Sequence, residues 1–299
     1  HRIVAKVDEL MALCDQLEAA RQQREQCRER LVASSLQRLN QPSDEPEAFR
    51  SDARFALQVL PSFTSTPAQI KQLRQTILNL AVRGKLVEQD PEDEPAESLL
   101  RAIIQDCEDQ AVAKRRRSTR QAGEVIETEK YLSAPSSWTW ARLNQLGQTQ
   151  TGTSPSSANP DLFGSDIPFV KPSDLDGADI NYEGAGLSVE GIKHSRLARA
   201  GTILMVCIGA TLGKINKTDR PVCFNQQINS LTPVLAGCLE YIEIAMKSSG
   251  FQLLAWSKAG TGTLPIVSKG KWEVLPIPLP PLAEQHRIVA KVDELMALC

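Results

Sequence analysis

Seven cysteines stand at positions 14, 27, 107, 207, 223, 238 and 299, an odd number with no CxxC pair among them. A disulfide framework therefore has no pattern to rest on, and reduced thiols of a cytoplasmic protein are expected. The three histidines (1, 194 and 286) have no ligand-spaced cysteine partners, so a zinc site is not expected. No apolar run approaches membrane-spanning length, and no signal-peptide pattern occurs at His1; no membrane partner is expected. The chain has no excess of positive charge: its formal net charge is −2, which argues against indiscriminate phosphate binding.

Familiar catalytic and cofactor motifs are missing as well. Gly209-Ala-Thr-Leu-Gly213-Lys214 has three residues between its glycines where a P-loop needs four, and Ile215 stands where a Mg²⁺-binding Ser/Thr belongs. It reads as a turn between two strands. Gly184-Ala-Gly186 is a lone GxG without a third glycine or a preceding apolar strand. Asn159-Pro160-Asp161 does not match the Asn/Asp-Pro-Pro-aromatic motif with which amino-methyltransferases grip a flipped base. No histidine has an obvious Ser or Cys partner, and neither a catalytic residue nor a bound cofactor or metal is expected for this chain.

What is present starts with a duplication. The string HRIVAKVDELMALC occupies residues 1–14 and recurs unchanged at 286–299, an offset of 286 − 1 = 285. That period is far beyond the 20–50 residues of solenoid repeats, so any repeated unit is a whole domain. Either the segment is duplicated for structural reasons, or the chain is one period cut from a longer repeating molecule.

Residues 1–39 read as one long helix. Ile3, Val7, Leu10, Cys14 and Leu17 alternate steps of four and three, the spacing of a coiled coil. The seam then meets Arg21, Arg24 and Arg28 before Leu31, Val32 and Leu36 follow, predicting a packed start, a wet middle and a packed end. The helix reads as a spacer that needs a partner helix. A short amphipathic piece (Phe49, Ala53, Ala56, Leu60) comes next. A third helix opens at Thr66-Pro67-Ala68-Gln69, with Thr66 as N-cap, Pro67 in first position and Gln69 completing a capping box; Gly84 ends it. A fourth runs over about 95–117 and ends in the basic run Lys114–Arg117, with Arg120 beyond; this reads either as a solvated helix end or as a phosphate contact.

Composition changes near Tyr131. Strand-like runs follow at 167–170, 202–208 and 222–231, one helix at about 239–256, and a Gly-Thr loop at 260–263. Charge over 133–280 is balanced, 12 Lys/Arg against 11 Asp/Glu. The expected class is α+β: long coiled-coil-type helices plus one mixed α/β domain with a twisted β-sheet. The expected limits are 1–130 for the helical spacer, 131–275 for the globular domain and 276–299 for the start of a second spacer helix.

Within the globular domain, Asn225-Gln-Gln-Ile-Asn229 would place amides on alternating faces of a strand. Such amides either bond adenine bidentately or satisfy buried backbone groups, and lysine and arginine suit guanine. Lys171, Lys193, Arg196, Lys214 and Lys217 are surface cations by default. The candidate DNA-reading set is Lys171, Ser173, Lys193, Arg196, Lys214, Asn216, Gln226, Gln227, Asn229, Thr261 and Thr263.

Five segments resemble the DNA-specificity (S) subunit of type I restriction-modification enzymes. PIPLPPLAEQHRIVAKVDELMALC (276–299) is similar to the start of that family's spacer helix. LRQTILNLAVRGKLVEQDPEDEPAESLL (73–100) is similar to the conserved-region helix and its acidic tail. SSWTWARLNQL (136–146) resembles the beginning of a target recognition domain, and GTILMVCIGATLGKIN with CFNQQINSL its central strands. The resemblance covers nearly everything but residues 40–66. It implies two recognition domains held apart by antiparallel helices in a full subunit, of which this chain holds one recognition domain and one conserved region. It further implies double-stranded DNA as ligand, with methylation subunits that use S-adenosylmethionine and restriction subunits that use ATP and Mg²⁺ as partners. A second S chain is a further possible partner, in a half-size subunit that homodimerises on a symmetric split site. A coiled-coil protein-interaction module is the reading from a different class.

Overall fold

The computed structural model describes residues 1–41, 46–59, 66–113, 123–176, 179–260 and 264–299. The basic run 114–117, Arg120, Thr261 and Thr263 lie outside the described residues. Packing divides the chain into two compact units, His1–Ile77 with Leu298–Cys299, and Leu78–Ala297.

The first unit is helical. α1 (Arg2–Asn40), α2 (Pro46–Gln58) and the start of α3 (Pro67–Ala81) build it. Val32, Leu36 and Leu39 of α1 are buried, as are Ala56 of α2 and Leu73 and Ile77 of α3. Asn40 closes α1 by donating to Thr76 Oγ1 at 2.9 Å, and Arg38 pairs with Asp52 at 3.6 Å. The predicted cap of α3 forms: Gln69 N donates to Thr66 Oγ1 at 3.3 Å. Gly84 follows the helix at φ 65°, the left-handed stop that a glycine supplies without steric cost. The predicted packed end of α1 is thus present, while the start, expected to need a partner helix, stands exposed in the single chain. Ile3, Val7, Leu10 and Leu17 are all at least half exposed, because no other described segment covers this half of the helix. Arg28 pairs within α1, with Glu25 at 3.1 Å.

The second unit takes in the end of α3, then α4 (Ala96–Ala113), and continues into three sheets. β1 (Thr139–Arg142) leads through a one-turn helix, α5 (Leu143–Leu146), to β2 (Gly147–Thr151) and β3 (Phe163–Val170). Then come β4 (Gly186–Leu187), α6 (Val189–Lys193), β5 (Leu197–Ala198), β6 (Ile203–Val206) and β7 (Ile215–Lys217). β8 (Val222–Phe224) and β9 (Ile228–Pro233) precede α7 (Leu239–Lys247), α8 (Ser249–Ser257) and α9 (Lys269–Trp272). β10 (Pro276–Leu279) and α10 (Leu282–Ala297) end the chain.

The α+β class holds, and the strands sort into a two-stranded ribbon β1-β10 and two four-stranded sheets, β2-β9-β6-β7 and β4-β3-β8-β5. β6 (ILMV) and β8 (VCF) are buried at every position, so they read as continuous apolar runs. Leu204, Val206 and Ile228 of one sheet share an apolar cluster with Val170, Val222 and Phe224 of the other. Two expected elements are interrupted. The run 222–231 breaks at Asn225–Gln227, where Asn225 Oδ1 accepts from Gln227 N at 3.0 Å and turns the chain. The helix over 239–256 breaks at Ser248, whose extended backbone and hydroxyl cap α8.

α10 carries the second copy of the duplicated string, and here the same residues are inside. Ile288 is 0 % and Val292 4 % exposed, against 81 % and 51 % for Ile3 and Val7 at the matching positions of α1. Arg287 makes a bidentate pair with Asp93, at 2.6 and 3.1 Å. Glu284, 1 % exposed, accepts from Trp138 Nε1 at 2.9 Å and Gln89 Nε2 at 2.5 Å, and burial pushes its carboxyl above the ordinary range.

The duplication is therefore an internal control. Ile288→Ala is expected to cost about 2–5 kcal/mol of unfolding free energy, whereas Ile3→Ala changes it by less than about 0.5 kcal/mol; urea midpoints of the two variants measure both. The Arg287 hydrogen bonds hold the Asp93 carboxyl below its ordinary value. A depressed carboxyl stabilises the fold above the unfolded pKa of about 3.9 and loses that contribution as pH falls through the lower folded value. Asp93→Asn should cost about 1–2 kcal/mol at pH 7, with the difference from the parent shrinking below about pH 4.

Candidate nucleic-acid interface

β2 is an edge strand, paired only with β9 in its sheet. Its sequence, GQTQT, is polar or glycine throughout, and threonine and glutamine leave the strand without an apolar stripe. The strand ends at Gly152, where a Cβ would collide with the carbonyl oxygens of Phe224 and Asn225. That close approach brings the loop after β2 against the turn between β8 and β9. Ser154 Oγ donates to Gln226 Oε1 at 2.6 Å, and Thr153 N donates to Phe224 O at 3.0 Å. Ser195 Oγ donates to Thr153 O at 2.7 Å, which ties the segment before β5 to the same loop. These bonds bring Gln226, Gln227 and Arg196 of the expected set around one loop. Lys171 joins them through the backbone, since Asn225 N donates to Val170 O at 3.1 Å. Gln226, Lys171 and Arg196 are exposed, while Gln227 is half-buried and accepts from Asn225 Nδ2 at 3.1 Å.

The other expected residues stand differently. Asn216 is 1 % exposed and donates to Asp179 O at 3.0 Å; Asn229 is 2 % exposed and accepts from Thr151 Oγ1 at 2.7 Å. Both amides serve hydrogen bonds inside the unit and neither reaches the surface. Ser173 is exposed in the turn after Lys171 and donates to Asp174 at 3.3 Å. Lys193 is exposed on α6 and paired with Glu190 at 2.6 Å. Lys214 is half-buried, directly after the turn that joins β6 and β7. That turn is the connection expected of the P-loop-like string.

A groove of about 530 Å³ runs along the edge of β2, lined by residues 148–153 with Arg196 and Lys269. Thr149 donates to Glu273 Oε2 at 2.6 Å, and Glu273 also pairs with Lys269. Gln148, Gln150, Ser154 and Lys269 were not among the expected residues. Only the absence of any apolar position in GQTQTGTS marks that stretch in the sequence, and it is equally the mark of a loop.

The buried thiols of the two sheets offer no reactive sulfur to this surface. Burial pushes the Cys207 thiol up to about 12 and also raises Cys223, so both stay protonated at neutral pH. Among the described residues no group of three or more His, Cys, Asp or Glu could hold a metal ion, and no helix is long and apolar enough to cross a membrane.

Comparison with known proteins points the same way. The chain is 26 % identical over 307 residues to the type I restriction enzyme EcoAI specificity subunit of Escherichia coli, covering 100 % of this chain and 52 % of that protein. It is 33 % identical over 135 residues to the HindI specificity subunit of Haemophilus influenzae, covering 44 % of this chain and 29 % of that protein. Thus the chain spans about half the length of the full-coverage relative. Among solved structures, the S subunit of a type I restriction-modification system from M. genitalium covers 85 % of this chain and 56 % of its own, at 15 % identity and TM-score 0.43. The HsdS subunit from Thermoanaerobacter tengcongensis covers 83 % and 51 %, at 17 % identity and TM-score 0.38. The model of the type I restriction modification DNA specificity domain matches residues 135–299, more than half of the chain, and the protein belongs to that family.

Proposed function

We propose that this chain reads one half of a bipartite DNA site for a cytoplasmic type I restriction-modification complex, and that it catalyses nothing itself. In this reading residues 131–275 are the recognition domain, residues 1–130 a helical spacer, and residues 276–299 the start of a second spacer. Methylation subunits, carrying S-adenosylmethionine, dock on the helices, and restriction subunits using ATP and Mg²⁺ join that assembly. The chain itself holds no cofactor.

The observation that carries this reading is the surface around the loop after β2. There Ser154 bonds Gln226, Arg196 follows Ser195, which bonds the same loop, and Lys171 follows Val170, which bonds Asn225; Gln226, Lys171 and Arg196 are exposed, and the charge of the domain is balanced. Amides suit base edges and guanidinium or ammonium groups suit phosphates. Near-neutral charge fits selective reading with partners supplying further attraction, not general phosphate affinity. The test is adenine methylation of a duplex library by the methylation subunit with and without this chain. Methylation at one defined motif, only when both are present, is expected. Methylation by the subunit alone at the same motif overturns the reading.

A second reading concerns assembly. Ile3, Val7, Leu10 and Leu17 form a stripe at coiled-coil spacing and stand in solvent. A second copy of the chain pairing along this stripe would give a symmetric reader of a symmetric split site. Mass measurement of the complex on cognate DNA decides: two copies per duplex support it, and one copy excludes it.

A further inference from the structure

The groove along β2 carries two amides that nothing in the fold requires. The Gln148 side chain makes no hydrogen bond to any described residue, and the Gln150 side chain makes one, at the long limit of 3.5 Å, to Leu197 O, while both backbones pair with β9. Both are half-buried in the groove wall, at successive same-face positions of an edge strand. A glutamine whose amide is unspent, held on a strand and not on a loop, is a preorganised bidentate donor-acceptor pair. Arg196, exposed and without an ion pair among the described residues, and Lys269 stand on the same groove. Lys269 is positioned by Glu273, which Thr149 of β2 also bonds.

We propose that β2 is the base-reading strand: Gln148 and Gln150 bond base edges, and Arg196 and Lys269 contact the flanking phosphates. The inference rests on the DNA-binding reading above and specifies its residues. Positions i and i+2 of a strand lie about 6.6–6.8 Å apart. That is about two steps of the 3.4 Å rise of a DNA strand, so the two amides match bases two steps apart. An exposed strand edge can enter the major groove, where glutamine pairs with adenine N6 and N7. An added peptide strand is the other possible occupant of a sheet edge, but it takes its specificity from side-chain pockets. Here the lining has no apolar side chain and two cations, which favours nucleic acid.

The test uses the full chain with its methylation subunit and sequencing of methylated DNA. Gln148→Leu and Gln150→Leu should each reduce discrimination at one base position by roughly 10- to 100-fold and leave the other positions unchanged. Gln148→Glu, which retains polarity if the leucine variant folds poorly, should shift preference at that position from adenine towards cytosine. Arg196→Ala and Lys269→Ala should weaken binding to all duplexes and reduce the slope of log affinity against log salt by about 0.9 each. Folded glutamine variants with the parent motif unchanged overturn the strand assignment while the DNA-binding reading stands. A parent complex that binds no duplex overturns both, and capture of an extended peptide by the groove without DNA binding assigns the strand to protein recognition.

Discussion

The antiparallel pairing of Thr139–Arg142 with Pro276–Leu279 is the constraint on which the second unit depends. It joins the first strand of the unit to the last, so the chain enters and leaves at one place. Everything between, including both four-stranded sheets, is closed off by this clasp. Pro276 and Pro278 have no N–H to give, which suits a short ribbon better than a central strand. The far side of β10 is covered by α7, where Tyr241 donates to Pro278 O at 2.9 Å. Arg142, at the end of β1, spends its guanidinium on Glu129, Gly123 O, Glu124 O and Val274 O, holding the approach to the ribbon. Those hydrogen bonds keep the Glu129 carboxyl below its ordinary range.

A clasp of this kind has a structural consequence. A body whose first and last strands pair with each other brings its two ends together, so segments before and after it start from neighbouring points of the same unit. In the same unit, Trp138 just before the ribbon and Glu284 just after it are hydrogen-bonded to each other, with Gln89 on the same carboxylate. Removing a buried carboxylate's donors would leave it unsatisfied, so this small network resists rearrangement. The β2 groove lies on the body that the clasp closes, carried by a rigid sheet edge and not by the connecting segments.

Much of the fold is legible in the sequence. Coiled-coil spacing marks α1, the Thr-Pro-x-Gln string marks the start of α3, and Gly84 its end. Apolar runs at 167–170, 202–208 and 222–231 mark the central strands, because strands buried on both faces are apolar throughout. The breaks at Asn225–Gln227 and Ser248 are local too, since both rest on a short polar side chain bonding its own backbone, but such bonding competes with strand and helix, and composition does not tell which wins. The candidate site is less legible. Asn216, Asn229 and Gln226 are the same kind of side chain in the sequence, and only the fold buries the first two and exposes the third.

The duplicated string separates the two levels most clearly. The duplicated string is helical in both places over residues 2–12 and the matching 287–297, because helix formation follows from backbone propensity and spacing along the segment itself. Whether Ile3 or Ile288 is buried, and whether Arg287 finds a carboxylate, does not follow from those residues at all. Burial is a property of what lies opposite, and the neighbours arrive from nearly two hundred residues away in sequence, as with Asp93 and Arg287. Helices, central strands and family follow from the order of residues along the chain. Which polar groups face solvent follows from the fold, since exposure depends on contacts between segments that local chemistry does not encode.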